Sequence, residues 1–430
     1  MKIAMIGAGY VGLVTGTCFS ELGNCVLCVD NDVEKIKKLK KGIIPIYEPG
    51  LDELVHKNTK AKRLSFTSEI EEAVQVSDII FIAVGTPPKE NGEADLSSVE
   101  KVSSIIADVM TEYKLVVGKS TVPVNTGKWI KRTMNIRNTK GIDFDVASNP
   151  EFLREGSAIN DFLYPDRIVI GVESERAKSI LYELYKPIDA PILVTDIESA
   201  EIIKHASNSF LATKISFINA ISILCERAGA DVKKVAEGMG LDKRIGSDFL
   251  NAGAGFGGFC FPKDLSAFIK IAEDLGYDFR LLREVEQINE EQKKGIVKKI
   301  RENLWNLRGK TIGILGLSFK PNTDDIRYAP SIDIIGELIK EGVRIKAYDP
   351  KAMERTKKIF PNITYCKDAY EVCDGSDALV ILTEWDEFKN LDIKKVKDIL
   401  KTPIIVDGRN IFDPETLKEI GFVYTGVGRK

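Results

Sequence analysis

Histidine is almost missing: the chain of 430 residues has two, His56 and His205. With so few imidazoles and no Cys/His cluster, no metal centre is expected, because zinc sites draw on three or four such ligands. A basic excess is lacking too. The formal charge is −3, from 61 Lys and Arg against 64 Asp and Glu, so no positive field invites nucleic acid. No uninterrupted apolar run reaches the roughly 20 residues that span a bilayer, so no membrane partner is expected. The opening Lys2-Ile3-Ala4-Met5-Ile6 imitates a signal peptide, but Gly7, Gly9 and Gly12 interrupt it and no targeting segment is expected. The seven cysteines, at 18, 25, 28, 225, 260, 366 and 373, are an odd set scattered along a long chain. That suits reduced thiols in a cytoplasm better than a disulfide framework. Cys25 and Cys28 form a CxxC within the strand-like Cys25-Val26-Leu27-Cys28-Val29-Asp30, where residues three apart point to opposite faces, so they are not expected to share a bond or a metal.

What is present is α/β patterning in a chain too long for one core. Runs rich in Ile and Val at Lys2–Ile6, Val26–Asp30, Asp78–Val84, Leu115–Lys119, Asp145–Ser148 and Arg167–Val172 alternate with helical stretches. They predict strands buried on both faces of a parallel, doubly wound sheet. Residues 197–230 contain no Pro, and no Gly before Gly229, with apolar residues at helical spacing; Asp196 or Thr195 is placed to cap the start. A helix of that length bridges domains or forms a dimer spine. Helical pattern continues to about residue 300. From Lys310 the βαβ logic restarts, with strands at Thr311–Leu317, Val343–Tyr348, Ala378–Thr383 and Pro403–Asp407 and a helix at Ala329–Glu341. The expected architecture is two Rossmann-like doubly wound α/β domains, 1–196 and 301–430, joined by a helical middle domain, 197–300, built on a long central helix.

Gly7-Ala8-Gly9-Tyr10-Val11-Gly12 is GxGxxG directly after a strand and opening a helix. The first glycine permits the tight turn, the second lets backbone approach a pyrophosphate and the third allows close helix–strand packing, while the helix N-terminus offers N–H donors. Asp30 ends the next strand, where a carboxylate accepts from ribose hydroxyls. It repels a 2′-phosphate, with Asp32 adding to that, so NAD is expected rather than NADP. Gly85-Thr86-Pro87-Pro88 and Ser120-Thr121-Val122-Pro123 each follow a strand on the side where such sheets bind ligand.

In Gly253-Ala254-Gly255-Phe256-Gly257-Gly258-Phe259-Cys260-Phe261-Pro262-Lys263-Asp264, four glycines in six residues argue against both helix and strand. Cys260 directly after them, near Lys263 and Asp264, has the makings of a nucleophile, because an adjacent ammonium or a helix N-terminus raises the thiolate fraction. A buried, unreactive thiol is the bland reading, and the one expected for Cys18 and Cys225. Lys204 and Asn208, four apart on the long helix, share a face. Glu151 and Glu155, just after a strand, suit acid/base work or helix capping. His205 projects away from Lys204 and reads as packing.

Together with Pro45-Ile46-Tyr47-Glu48-Pro49-Gly50, Pro165–Val169 and Phe319-Lys320-Pro321, these segments resemble the UDP-glucose/GDP-mannose dehydrogenase family over essentially the whole chain. The Phe-Leu-Arg-Glu-Gly form at 152–156 resembles the branch that oxidises C6 of UDP-glucose. The resemblance implies NAD as cofactor, UDP-glucose as substrate, a homodimer through the long helix and a four-electron oxidation through a thiohemiacetal and thioester on Cys260. It implies that Lys204 accepts the alcohol proton or stabilises the oxyanion with Asn208 as companion donor, that Asp264 and Thr121 position water, and that Glu151 acts in thioester hydrolysis. Cofactor contacts are implied for Gly7, Gly9, Tyr10, Val11, Gly12, Asp30, Lys35, Thr86, Thr121, Glu155, Lys263 and Arg327. Substrate contacts are implied for Glu151, Phe152, Leu153, Glu155, Lys204, Asn208, Phe249, Asn251, Gly257, Phe319, Lys320 and Arg409, with Arg244 reaching the partner subunit's substrate. Two positions depart from the pattern: Phe256 stands where tyrosine is frequent, and Phe259 where a small residue precedes the cysteine, which would reshape the sugar pocket. Alternatives are a dehydrogenase of GDP-mannose or UDP-N-acetylmannosamine, or a Rossmann protein that senses NAD without turnover.

Overall fold

Apolar strands alternating with helices give two sheets. The structure, a computed structural model, describes residues 1–89 and 92–429. It divides into two compact units: Met1–Ser207 with Ser266–Gly276, and Asn208–Leu265 with Tyr277–Lys430. The predicted middle domain is thus distributed between them.

The first unit holds β1 (Lys2–Ile6), β2 (Cys25–Val29), β3 (Leu64–Thr67), β4 (Ile79–Ile82), β5 (Lys114–Gly118), β6 (Phe144–Ser148), β7 (Ile168–Val172) and β8 (Ile192–Thr195), in the order β3-β2-β1-β4-β5-β6-β7-β8. Alternate residues of β1 feed opposite faces: Ile3 and Met5 join one core, Ala4 and Ile6 the other. The expectation of a parallel sheet needs one correction, because β7 runs antiparallel to β6. The connection between them holds only the six-residue helix Ala158–Leu163, too short to carry the chain back along the strand. In the second unit β9 (Thr311–Leu315), β10 (Arg344–Tyr348), β11 (Thr364–Tyr365), β12 (Ala378–Ile381), β13 (Ile404–Asp407) and β14 (Val423–Gly426) form an all-parallel sheet, β11-β10-β9-β12-β13-β14.

Six strands of the second sheet thus repeat the order of the first six. Sequence reading missed β3, β8, β11 and β14, the four edges of the two sheets, and set other strand ends a residue or two off. These edge strands are only two to four residues long; β8 and β11 have no buried residue, and polar residues interrupt β3 and β14.

The turn after the first strand is also duplicated. Gly7 (φ 105°) donates to the Val29 carbonyl at 2.8 Å, and Gly316 (φ 95°) to the Tyr348 carbonyl at 3.0 Å. Asp30 and Asp349 occupy matching places, just after β2 and β10. Asp349 is fully buried: its Oδ2 accepts from the Leu317 and Ser318 N–H groups, the Ser318 hydroxyl and the Trp385 indole, and its Oδ1 from the Lys351 and Ala352 N–H groups.

The long helix runs Ile197–Ala228, capped where Asp196 accepts from the Ser199 N–H at 2.7 Å. Contrary to expectation, it is long and apolar enough by composition to cross a membrane, because its apolar residues keep the mean hydropathy high even though small polar residues interrupt the run. Those residues mark a core helix: Asn208, Ser216 and Asn219 are buried and bond to Asp264, the Val285 carbonyl and the Gly253 N–H. Cys25 is exposed and Cys28 buried, on opposite faces of β2, and no disulfide forms among the described residues.

A Cβ on Gly316 would lie 2.4 Å from the Thr383 nitrogen. Gly316→Ala is therefore expected to cost more than the about 1–3 kcal/mol of an unfavourable backbone conformation alone. Calorimetry should show a lower Tm; an unchanged Tm would refute this account of the turn.

Candidate active site

The first helix, Tyr10–Glu21, has Gly9 at its N-cap and no side chain bonded to its first turn. A Cβ on Gly9 would meet nothing within 4 Å, whereas one on Gly12 would strike the Gly7 carbonyl. The turn is therefore open in front of unclaimed N–H donors and closed behind, which fits a pyrophosphate. Asp30 is barely exposed; its Oδ2 accepts from the Ala8 N–H at 3.0 Å and the Lys35 ammonium at 2.7 Å, and its Oδ1 from the Asp32 N–H. Asp32 caps the next helix by accepting from the Lys35 N–H. The buried Thr86 hydroxyl donates to the Thr121 carbonyl at 2.9 Å, tying the loops after β4 and β5 together.

In the same unit Lys204 donates to Glu151 at 2.9 Å, both buried, and the other Glu151 oxygen accepts from the Leu153 N–H at 2.5 Å. The Phe152 ring lies under the Arg167 guanidinium at 4.0 Å and the Lys204 ammonium at 5.5 Å. A second buried lysine, Lys119, donates to the Asn149 side-chain oxygen at 2.8 Å, which also accepts from the Tyr185 hydroxyl at 2.5 Å. Burial pushes the Lys119 ammonium down to about 7, with Glu151 opposing and Lys204 reinforcing the shift. His205 is buried, bonded through Nε2 to the Val122 carbonyl at 2.8 Å and stacked on Phe268.

In the second unit Cys260 opens the helix Cys260–Asp274. Asp264, one turn on and buried, accepts from Asn208 at 2.6 Å and from Lys263 at 2.6 Å. The preceding loop is buried and its backbone is held by side chains from two helices. Asn289 accepts from the Phe256 N–H at 2.8 Å and donates to its carbonyl at 3.1 Å. Gln292 donates to the Gly253 carbonyl at 2.9 Å, and Asn219 accepts from the Gly253 N–H at 2.9 Å. A Cβ on Gly257 would stand 2.3 Å from the Tyr328 carbonyl oxygen. Phe256 and Phe249 meet Phe261 edge-on. Phe259 carries Arg327 at 4.2 Å and Lys263 at 5.6 Å over its ring. Arg409 donates to the carbonyls of Leu382, Gly255 and Phe319, drawing together three loops, and Lys320 lies over the Phe319 ring. Asn251 is exposed, and Arg244, 88% exposed, chelates Asp242 within its own turn.

Known sequences give this arrangement its family. Residues 1–189 match the NAD binding domain of the UDP-glucose/GDP-mannose dehydrogenase family, 198–291 its central domain and 313–414 its UDP binding domain. The chain belongs to this family. A UDP-glucose 6-dehydrogenase of Bacillus subtilis is 52% identical over all of this chain and 93% of the relative, and one from Rhizobium meliloti is 48% identical over the whole of both. Among solved structures, the UDP-glucose dehydrogenase of Pyrobaculum islandicum superposes with a TM-score of 0.93 at 41% identity, covering 100% of this chain and 98% of that one.

Within the family's NAD binding domain lie the glycine turn, Asp30, the Thr86–Thr121 contact and the Lys204 partner, Glu151. The central domain contributes Lys204, Asn208, Cys260, Lys263 and Asp264. Sequence reasoning overlooked Lys119, Asn289, Gln292 and Asn219. The only local signal for Lys119 was its place directly after β5, beside Ser120 and Thr121.

The Lys119 shift has a stability consequence. The folded protein releases this proton near 7, while the unfolded chain holds it up to the ordinary 10.5. The unfolded state therefore binds more protons between those limits, so the burial penalty is complete below about 7 and is relieved as pH rises toward 10.5. Lys119→Met is expected to flatten the rise of Tm over that window and to gain most stability at its acid end. Equal slopes in variant and wild type would show that Lys119 does not titrate there.

Proposed function

We propose that the protein oxidises C6 of UDP-glucose to the carboxylate of UDP-glucuronate, with NAD as acceptor and Cys260 as covalent anchor. The observation that carries this reading is Cys260 on the first turn of its helix, one turn before an Asp264 that holds Asn208. Such a turn favours a thiolate. Relatives named UDP-glucose 6-dehydrogenase along the full chain support the sugar.

The turn at Gly7, Gly9 and Gly12, with Asp30, would hold NAD, two molecules of which, bound in succession, would each take up one of the two hydrides that leave C6. Lys204, paired with Glu151, takes the hydroxyl proton as the first hydride departs. The Cys260 sulfur then adds to the aldehyde carbon, and Lys204 and Asn208 donate to the oxygen that gains charge. Loss of the second hydride turns the thiohemiacetal into a thioester. Asp264 and Thr121 position a water whose proton goes to Glu151; water oxygen bonds to carbon, the C–S bond breaks and the thiolate returns. Covalent retention explains why no aldehyde escapes between the two oxidations. Phe259 serves as a platform for Arg327 and Lys263.

The protein acts as a homodimer through the long helix. Phe210, Phe217 and Leu224 are 65%, 50% and 58% exposed, and their spacing of seven sets them on one stripe. Its seven reduced cysteines fit a cytoplasmic setting.

With UDP-glucose, two NADH should form per sugar consumed, and Cys260→Ser should cut the rate at least roughly a hundredfold. Full NADH production by the variant would refute the covalent route; turnover of GDP-mannose or UDP-N-acetylmannosamine instead would overturn the sugar assignment alone. Phe217→Glu should convert the dimer to a monomer in sedimentation experiments, and a variant that stays dimeric places the interface elsewhere.

A further inference from the structure

The segment Pro45–Gly50 has no part in the chemistry above, yet it sends one carboxylate deep into the first unit. Glu48 is buried, and its partners come from two distant motifs. Its Oε2 accepts from the Tyr10 hydroxyl and from the Gly156 N–H at 2.6 Å; its Oε1 accepts from the Ala158 N–H at 2.7 Å. Gly156 also donates to the Tyr10 oxygen at 3.2 Å, closing a ring of three groups. Tyr10 is the first residue of the helix after the glycine turn. Gly156, with φ 84°, and Ala158 end the loop that begins at Asn149 and carries Glu151, Phe152, Leu153 and Glu155.

All three partners are donors, so position 48 calls for a carboxylate. A glutamine there would turn its NH2 toward an N–H or O–H and lose at least one bond. Burial, and then the hydrogen bond it donates to Glu48, push the Tyr10 hydroxyl far above its ordinary range, so it remains a donor. Tyr10 is thus bonded at its backbone end to the pyrophosphate turn and at its hydroxyl to the sugar-nucleotide loop.

We propose that Glu48 and Tyr10 are positioning residues forming a buried strut, through which occupation of the dinucleotide turn and ordering of the 149–158 loop favour each other. The inference rests on the reading of this protein as an NAD and UDP-glucose enzyme. A ligand that fixes one end of the strut lowers the ordering cost at the other, and linkage makes the effect reciprocal.

Calorimetric titration of the full-length protein with UDP-glucose, with and without saturating NADH, tests it, since NADH accepts no hydride and no turnover intervenes. Wild type should bind UDP-glucose about fivefold or more tightly with NADH present. In Tyr10→Phe, and in Glu48→Gln, that factor should fall toward one while each ligand still binds. A merely structural strut would lower Tm and weaken both ligands yet leave the factor at its wild-type value, which overturns the inference; so does a wild-type factor of one. If wild type fails to bind UDP-glucose at all, the functional reading falls and the strut's role with it. Should both variants fail to fold, amide exchange of the wild type decides: NADH alone must slow exchange at Gly156 and Ala158, and unchanged exchange there counts against the strut.

Discussion

A stretch of backbone nearly devoid of side chains, when buried, must find a partner for each N–H and C=O, and the second unit is arranged around that demand. Each group left without one would cost about 1–3 kcal/mol. The Gly253–Gly258 loop meets it with three side-chain amides, Asn219, Asn289 and Gln292, and with the Gly408 and Arg327 carbonyls. Those amides stand on long helices, so the loop inherits their rigidity although it has no regular structure of its own. Cys260 follows directly, and its helix begins where the clamp ends. The position of the thiol is therefore set by residues that never approach a substrate.

Electrostatics in the first unit follow the same economy. Two buried lysines, Lys119 and Lys204, lie near one buried carboxylate, Glu151, which bonds directly to Lys204. Lys204 has the direct ion pair, and burial pushes the Lys119 ammonium down to about 7.

What was legible in the sequence was what is local. The glycine turn, Asp30 and the long helix with its Asp196 cap need only a few neighbouring residues to declare themselves, and the structure has them where the pattern set them. The four edge strands escaped because runs of two to four residues are too short to show a period. Asn289, Gln292 and Lys119 escaped for a different reason: an amide or ammonium on an ordinary helix or strand end looks like surface until its partner, 30 or more residues away, is known. Phe259 was singled out for its size alone. Its bulk drew attention to the sugar pocket, and the structure adds that its ring is a seat for two cations contributed by residues 263 and 327.

The two sheets repeat one turn but treat its carboxylate differently. Asp30 keeps a little solvent exposure and takes three donors from its surroundings, whereas Asp349 takes six and has none to spare. Trp385 and Ser318 have made the second carboxylate a structural pin. A dinucleotide arriving at the second unit finds the same backbone turn but no hand to grasp its ribose, so the duplicated fold does not become a second cofactor site. The halves differ in an aspartate that is already fully engaged and in Ser318 and Pro321, which stand where the first turn has Gly9 and Gly12.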